Sequence, residues 1–373
     1  MERPVAIRAV IRTARTAAVA ASAIAASAAF AAGAEAYVTN ERGGIDVIDL
    51  DTLAVSRTLA TGGEGPRGLA LTPDARYILA ANKGSGEVCA IDRATGAIAH
   101  RVKVGLNPEM VRINGRFAYV TYEPVPSEEA LKHEAAKGEG AAMPKPGTGA
   151  SRAAEPEKDD DAAKAEIAIV DLDHWKVVKS IPSGHETEGV EFSADGRLMA
   201  VTNEGDDTIS VYDRVTGKEI KSVSTAAHGK RPRGIKAIPG GKGYVVTLEF
   251  SDKFLVLDRD FKILREVATK SSPYGVAFSP DGSRLLVAAA KSGVLQEFDA
   301  ATFAATRDMA VGKRCWHFTY SPDASKILAA CGRSDAVYVV DAQGGNTLKV
   351  IEGEKGPWGI VTYPRANGSL DVR

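Results

Sequence analysis

The chain has 373 residues, 44% of them hydrophobic and 25% charged, with 37 glycines, 17 prolines and three cysteines. That balance excludes a disordered chain, a collagen-like repeat and a disulfide-dense miniprotein, and the length suffices for a large core. The formal charge is −1, and residues 35 onward carry 43 basic and 47 acidic groups, which argues against nucleic-acid or anionic-membrane binding.

Residues 1–34 read as a secretory signal peptide. Arg3, Arg8, Arg12 and Arg15 form a positive head, the run Thr16 to Ala32 is apolar and mostly alanine, and Ala32-Gly33-Ala34 fits a small-residue cleavage site, with Ala34-Glu35-Ala36 next. The alternative is a transmembrane anchor, but about 17 weakly apolar residues are short for ~30 Å of hydrocarbon. The expectation is a cleaved leader and a soluble, monomeric protein in the periplasm, free of the membrane after cleavage.

Residues 35–373 repeat one pattern and read as a single domain. An apolar-apolar-Asp step recurs at Ile48-Asp49, Ile91-Asp92, Val170-Asp171, Tyr212-Asp213, Leu257-Asp258, Phe298-Asp299 and Val340-Asp341, at intervals of 43, 79, 42, 45, 41 and 42 residues. One interval carries an insertion, and the rest give the period of a four-stranded propeller blade. Each copy opens on a Pro-x-Gly-like strand, such as Pro273-Tyr274-Gly275-Val276-Ala277-Phe278, turns through Ser279-Pro280-Asp281-Gly282, and continues into a second apolar strand. A third strand ends at the aspartate, and a more polar fourth follows a turn such as Arg214-Val215-Thr216-Gly217.

First strands are expected near 66, 108, 187, 232, 273, 315 and 357, and second strands near 37, 77, 117, 198, 244, 285 and 326. The chain thus begins on a second strand and ends on an unpartnered first strand, Pro357-Trp358-Gly359-Ile360-Val361-Thr362-Tyr363. A single sheet with two apolar faces cannot bury them, whereas a ring of seven does, so the termini are expected to share one blade. The fold class is all-β: a seven-bladed propeller of antiparallel four-stranded blades.

Tyr37-Val38-Thr39-Asn40 with Ile48-Asp49, and Val201-Thr202-Asn203 with Tyr212-Asp213-Arg214-Val215-Thr216-Gly217, resemble the YVTN family of β-propellers. Glu188-Gly189-Val190-Glu191-Phe192-Ser193-Ala194-Asp195-Gly196 is similar to the branch associated with PQQ-dependent alcohol catabolism. The resemblance covers nearly all of residues 36–364. It implies an accessory of quinone-cofactor oxidation, with a PQQ-like quinone as one ligand.

Residues 123–165, rich in Ala, Glu, Lys, Pro, Gly and Asp, interrupt the third copy between its second and third strands. They are too poor in apolar residues to offset their ordering entropy and read as a flexible insertion. A helical turn around Ser127 to Ala136 is its one expected element. The insertion serves either as a lid or partner hook or as a tolerated surface loop, and Asp159-Asp160-Asp161 as a cation site or a solvated run.

In this architecture the loops leading into the first strands share one face, and they vary from blade to blade. The middle residues of the Pro-x-Gly equivalents are Arg67, Glu109, Glu188, Arg233, Tyr274, Trp316 and Trp358. Nearby come His185, Glu186, His228, Arg231, Arg314 and His317. Arginine forks and tryptophan faces around a channel mouth suit a planar, partly anionic small ligand. Alternatively, the tryptophans plug the channel and the charges pair across it.

Cys89 reads as an inert core thiol. Cys315 and Cys331 flank the hairpin turn Pro322-Asp323-Ala324-Ser325 and fall opposite or one step offset, so a cross-strand disulfide is the preferred expectation in an exported protein. The alternatives are free thiols or a copper or zinc site of Cys315, His317 and Cys331, with His185 or His228 as fourth ligand. No hydrolase elbow, phosphate loop or dinucleotide fingerprint occurs. The favoured function is a non-catalytic module binding a small molecule or a periplasmic protein partner. The alternative is a metal-dependent oxidoreductase or a lactonase-like hydrolase at the same mouth, for which His185, Glu186 and Glu188 are the acid–base candidates.

Overall fold

The computed structural model describes residues 33–124 and 164–371. The expected leader lies almost wholly outside the described residues, as do the helical turn at 127–136 and the acidic run at 159–161. Among the described residues no helix is long and apolar enough to cross a membrane.

Seven four-stranded antiparallel sheets form the molecule, and a single 3-10 turn, Glu249–Ser251, is the helical content among the described residues. The first strands line the axis and touch in ring order: Pro66–Leu71 (blade 2), Val111–Asn114 (blade 3), Thr187–Phe192 (blade 4), Pro232–Ala237 (blade 5), Pro273–Phe278 (blade 6), Cys315–Tyr320 (blade 7) and Pro357–Tyr363 (blade 1). Blade 1 is completed by the N-terminal strands Glu35–Asn40, Ile45–Asp49 and Ala54–Leu59. Its register pairs Ala36 with Thr362, Tyr37 with Val361 and Val38 with Ile360.

The repeated aspartates act locally. Asp49, Asp92, Asp213 and Asp299 each accept the backbone N–H of the threonine three residues on, at 2.7, 3.0, 2.8 and 2.8 Å, which closes the turn between third and fourth strands. Blade 3 departs from expectation at its start. Its first strand begins at Val111 rather than at 108, because Leu106 bridges to Glu123 and Met110 accepts the Thr121 N–H outside the regular ladder.

The glycine of the Pro-x-Gly pattern sets how closely the blades approach the axis. A Cβ on Gly189 would lie 2.2 Å from the Arg233 carbonyl of the next blade, and one on Gly234 would lie 2.3 Å from the Tyr274 carbonyl. In each case a YVTN threonine closes the joint: Thr202 Oγ1 accepts the Gly189 N–H at 2.8 Å and donates to the Arg233 carbonyl at 2.6 Å. The strand-end motif is therefore a blade-to-blade fastener. In blades 3 and 7 Met110 and His317 replace the glycine, and both side chains enter the axial channel.

Beside the closing strand, Glu354 is buried next to Asp46, and both its carboxylate oxygens lack hydrogen-bond partners. Burial pushes its carboxyl up to about 7, with Asn40 opposing and Asp46 reinforcing the shift. A carboxyl whose folded pKa is raised contributes stability below its unfolded pKa and loses it as pH rises through the folded one. Glu354→Gln should therefore be near neutral at pH 4.5 and stabilising by on the order of 2 kcal/mol at pH 8. Urea unfolding at both pH values checks this, and a gain at pH 8 no larger than at pH 4.5 contradicts it.

Candidate functional site at the channel mouth

All seven middle residues, Arg67, Glu109, Glu188, Arg233, Tyr274, Trp316 and Trp358, line one cavity of about 270 Å³ at the end of the axis where the first strands begin. The backbone brings them there by one device. The residue two before each middle residue is left-handed: Gly65, Asn107, Glu186, Arg231, Ser272, Arg314 and Gly356 all have φ between 46° and 75°. Five of these are not glycine, and such strain gathers at sites where the surrounding structure over-determines the backbone. A bulge follows in the first strands of six blades, between Pro66 and Leu69 in blade 2 for instance. Turn and bulge together direct the middle side chain over the axis.

The charges interlock across the blades. Arg67 pairs with Glu41 at 2.6 Å and with Glu109, and Lys83 reaches Glu109 at 3.5 Å. Arg233 meets Glu188 at 2.9 Å, Glu204 at 2.7 Å and Glu249 at 2.5 Å, and it donates to the Tyr274 hydroxyl. Arg231 holds Glu186 at 2.7 Å and Glu204, and Arg314 reaches Glu249 at 3.4 Å. Every arginine of the mouth thus already faces a carboxyl group.

Two of those carboxyls are pushed toward the protonated form. Burial, reinforced by the neighbouring Glu109, raises Glu188 well above the carboxylate range, and burial raises Glu204 to about 8 against the pull of Arg233 and Arg231. Glu109 stays low despite its burial, because Glu188 donates to it and Arg67 and Lys83 lie alongside. Glu109 and Glu188 form a carboxylate–carboxylic acid pair of the kind that adjacent acids adopt when both cannot ionise. Burial also keeps the Tyr274 phenol neutral.

The tryptophans differ in role. Trp358 is fully buried, its ring 4.4 Å from that of His317 and 5.9 Å from the Arg67 guanidinium. Trp316 remains half-buried at the cavity wall, its ring lying where a Cβ on Gly332 would be.

Cys315 and Cys331 pair directly opposite each other and are bonded, while Cys89 is free and buried. The expected soft-metal trio is not assembled. Sulfurs joined to each other are not thiolates, and the strand bulge between Cys315 and His317 breaks the spacing that would put them on one face. Cys315 packs with Met309 and Phe318, whereas His317 turns to the channel, its Nδ1 3.0 Å from Ser369 Oγ. His185 and His228 sit with Asp206 and Glu266, and neither lines the mouth. Among the described residues no group of three or more His, Cys, Asp or Glu is placed to hold a metal.

Several functional positions escaped the sequence reading. Glu41, Lys83, Glu123, Glu204 and Glu249 all stand one residue past the second-strand end, a shared offset that could have found them. The path of the C-terminal tail left no repeat signal. Residues 365–371 run across the far end of the channel, where Ser369 meets His317 and Phe318, and Arg112 donates to the Ser369 carbonyl at 2.7 Å. The cavity at the mouth is therefore closed from below.

Fold and mouth define a seven-bladed propeller with a charge-interlocked cavity at one end. The family model described as the cytochrome D1 heme domain matches residues 162–315, which is less than half of the chain. No curated protein matches the sequence. Among solved structures, the chain is similar to the periplasmic gluconolactonase of Pseudomonas aeruginosa, with 19% identity, TM-score 0.67 and coverage of 88% of this chain and 98% of that one. It is also similar to a functionally unknown protein from Desulfotomaculum acetoxidans (14%, 0.69, 89% and 99%) and to Kuenenia stuttgartiensis hydrazine synthase (17%, 0.63, 80% and 89%). At these identities the likeness is one of fold.

The mouth offers a haem no free axial ligand, its Tyr122 and Tyr274 hydroxyls being hydrogen-bonded with Glu166 and Arg233. No His, Met or Cys lines the mouth, and the widening beside His317 is about 20 Å³, room for a water and not for a macrocycle.

Proposed function

We propose that this chain is an exported propeller, an accessory module of the YVTN type, whose mouth binds a small, uncharged, polyhydroxylated molecule such as a sugar lactone. The observation that carries this reading is the pairing of every mouth arginine with a carboxyl group around a cavity walled by Trp316. Alternating guanidinium and carboxyl groups offer donors and acceptors to hydroxyls, and an indole face suits the apolar side of a sugar ring. An anionic quinone would have to displace a buried carboxylate from its arginine, so the planar, partly anionic ligand fits this mouth less well. The expected leader supports export, and the name of the Pseudomonas aeruginosa gluconolactonase is in keeping with the ligand class.

Isothermal titration with glucono-1,5-lactone, gluconate and pyrroloquinoline quinone tests the reading. The lactone should bind with Kd below about 1 mM, and Trp316→Ala should weaken it at least tenfold, about 1.4 kcal/mol. Tighter capture of gluconate or of the quinone sinks the uncharged-ligand reading. A second reading, lactone hydrolysis, is favoured by the Glu109–Glu188 pair, in which one group can donate a proton while the other accepts one. Lactone turnover above background that disappears in Glu188→Gln would establish it, and binding without turnover would exclude it for this substrate.

A further inference from the structure

The far end of the propeller carries a second chamber that shares no lining residue with the mouth. It encloses about 700 Å³ between the turns 193–196 and 238–241, Phe278 and the C-terminal tail. Lys236 lines it from near the end of the first strand Pro232–Ala237, three residues beyond Arg233. Its ammonium donates to the Asp371 carbonyl, lies 3.8 Å from Glu191, and keeps a side-chain exposure of 11%. The Arg112 guanidinium shares this end of the axis, with one nitrogen, Nη1, buried and unpartnered, and Asp371 Oδ2 is likewise buried without a partner. Arg112, Glu191 and Lys236 occupy the same offset in three consecutive blades, so the cluster is one continuous arc of the inner wall.

We infer that Lys236 is a reactive amine whose chamber takes small aldehydes or ketones and holds them as an imine. A lysine desolvated beside another cation is the arrangement that frees an amine for carbonyl chemistry. Burial and Arg112 pull Lys236 down to about 8, against Glu191 and Asp371. Burial raises Asp371 to about 6, against Lys236, Arg112 and Arg365, so a proton carrier stands beside the amine near neutral pH. In the step, the Nζ lone pair attacks the carbonyl carbon and the C=O electron pair moves to oxygen. One nitrogen proton passes through the Asp371 or Glu191 carboxyl to that oxygen, giving the carbinolamine; the second follows by the same route, so that the oxygen leaves as water while the nitrogen lone pair closes the C=N bond, without any redox change. This site is independent of the mouth and of the reading proposed for it.

The test incubates the whole protein with glyceraldehyde and cyanoborohydride, which fixes imines as secondary amines, and maps the modified lysines by peptide mass spectrometry. At pH 7.5 Lys236 should be modified at least about tenfold faster than the exposed Lys218 and Lys242, with a rate midpoint near 8. The preference should vanish when the protein is unfolded in urea before labelling, a control that needs no variant. Arg112→Met should move the midpoint upward and slow the labelling at pH 7.5. Modification of Lys236 no faster than Lys218 overturns the inference, as does a preference that survives unfolding.

Discussion

Arg233→Met should lose about 3–5 kcal/mol of stability at pH 8, and clearly less at pH 5. The guanidinium is 12% exposed and holds Glu188, Glu204 and Glu249 together with the Tyr274 hydroxyl. Without it Glu204 keeps Arg231, Glu249 keeps Arg314 at 3.4 Å and Arg231 at 4.0 Å, and Glu188 loses the arginine it is paired with. They can then escape repulsion only by taking up protons, which is easy at pH 5 and costly at pH 8. The sign follows from linkage: raising a carboxyl's folded pKa further makes stability fall as pH rises through it. Adding Glu188→Gln and Glu204→Gln to Arg233→Met should restore much of the loss, because a neutral amide needs no cation. Urea unfolding of the three proteins at both pH values decides the matter. A loss below about 1 kcal/mol at pH 8 would mean that the network is a set of ordinary surface ion pairs.

A chain ending at Gly356 should not give a folded monomer. The missing strand supplies Trp358, Ile360 and Val361, all fully buried, and the loss of one such side chain already removes about 2–5 kcal/mol. Three together exceed the whole stability of many domains. The strand Glu35–Asn40 would also become an open, apolar edge that seeks other chains. Gel filtration and near-ultraviolet dichroism should show aggregates without fixed tertiary structure, and a synthetic 357–373 peptide added during refolding should recover the monomer. A chain ending at Tyr363 keeps that strand and loses the tail, so it should hold the ring while exposing His317 from below. A folded, monomeric chain ending at Gly356 would show that blade 1 closes by some other pairing.

Much of this was legible because a repeat reports the same physics seven times. Six of the seven first strands begin at Pro66, Thr187, Pro232, Pro273, Cys315 and Pro357, where turn chemistry and period place them. The opposed Cys315 and Cys331 follow from counting outward from one hairpin turn. What the period cannot show is where a blade breaks it. The start of blade 3 slips because the loop ends at Leu106 and Glu123 pair with each other. The spacing from Cys315 to His317 suggests one shared face until a bulge between them turns the histidine into the channel. The buried set of Arg112, Glu191, Lys236 and Asp371 depends on a non-repeating tail, and in the strands it shows only as charges three residues beyond the middle residues Glu109, Glu188 and Arg233. The mouth arginines were visible as cations, but the glutamates that neutralise them come from the next loop and the next blade.

Closing blade 1 through both ends of the chain has a temporal consequence. Hydrogen bonds such as that from the Gly359 N–H to Thr39 Oγ1 link residues 320 positions apart. The first strand to emerge from a ribosome must therefore wait for nearly the last. Until residues 357–363 are made, the nascent polypeptide has no complete ring to settle into, and its stability comes from partial stacks of neighbouring blades. Such a chain stays loose for most of its synthesis.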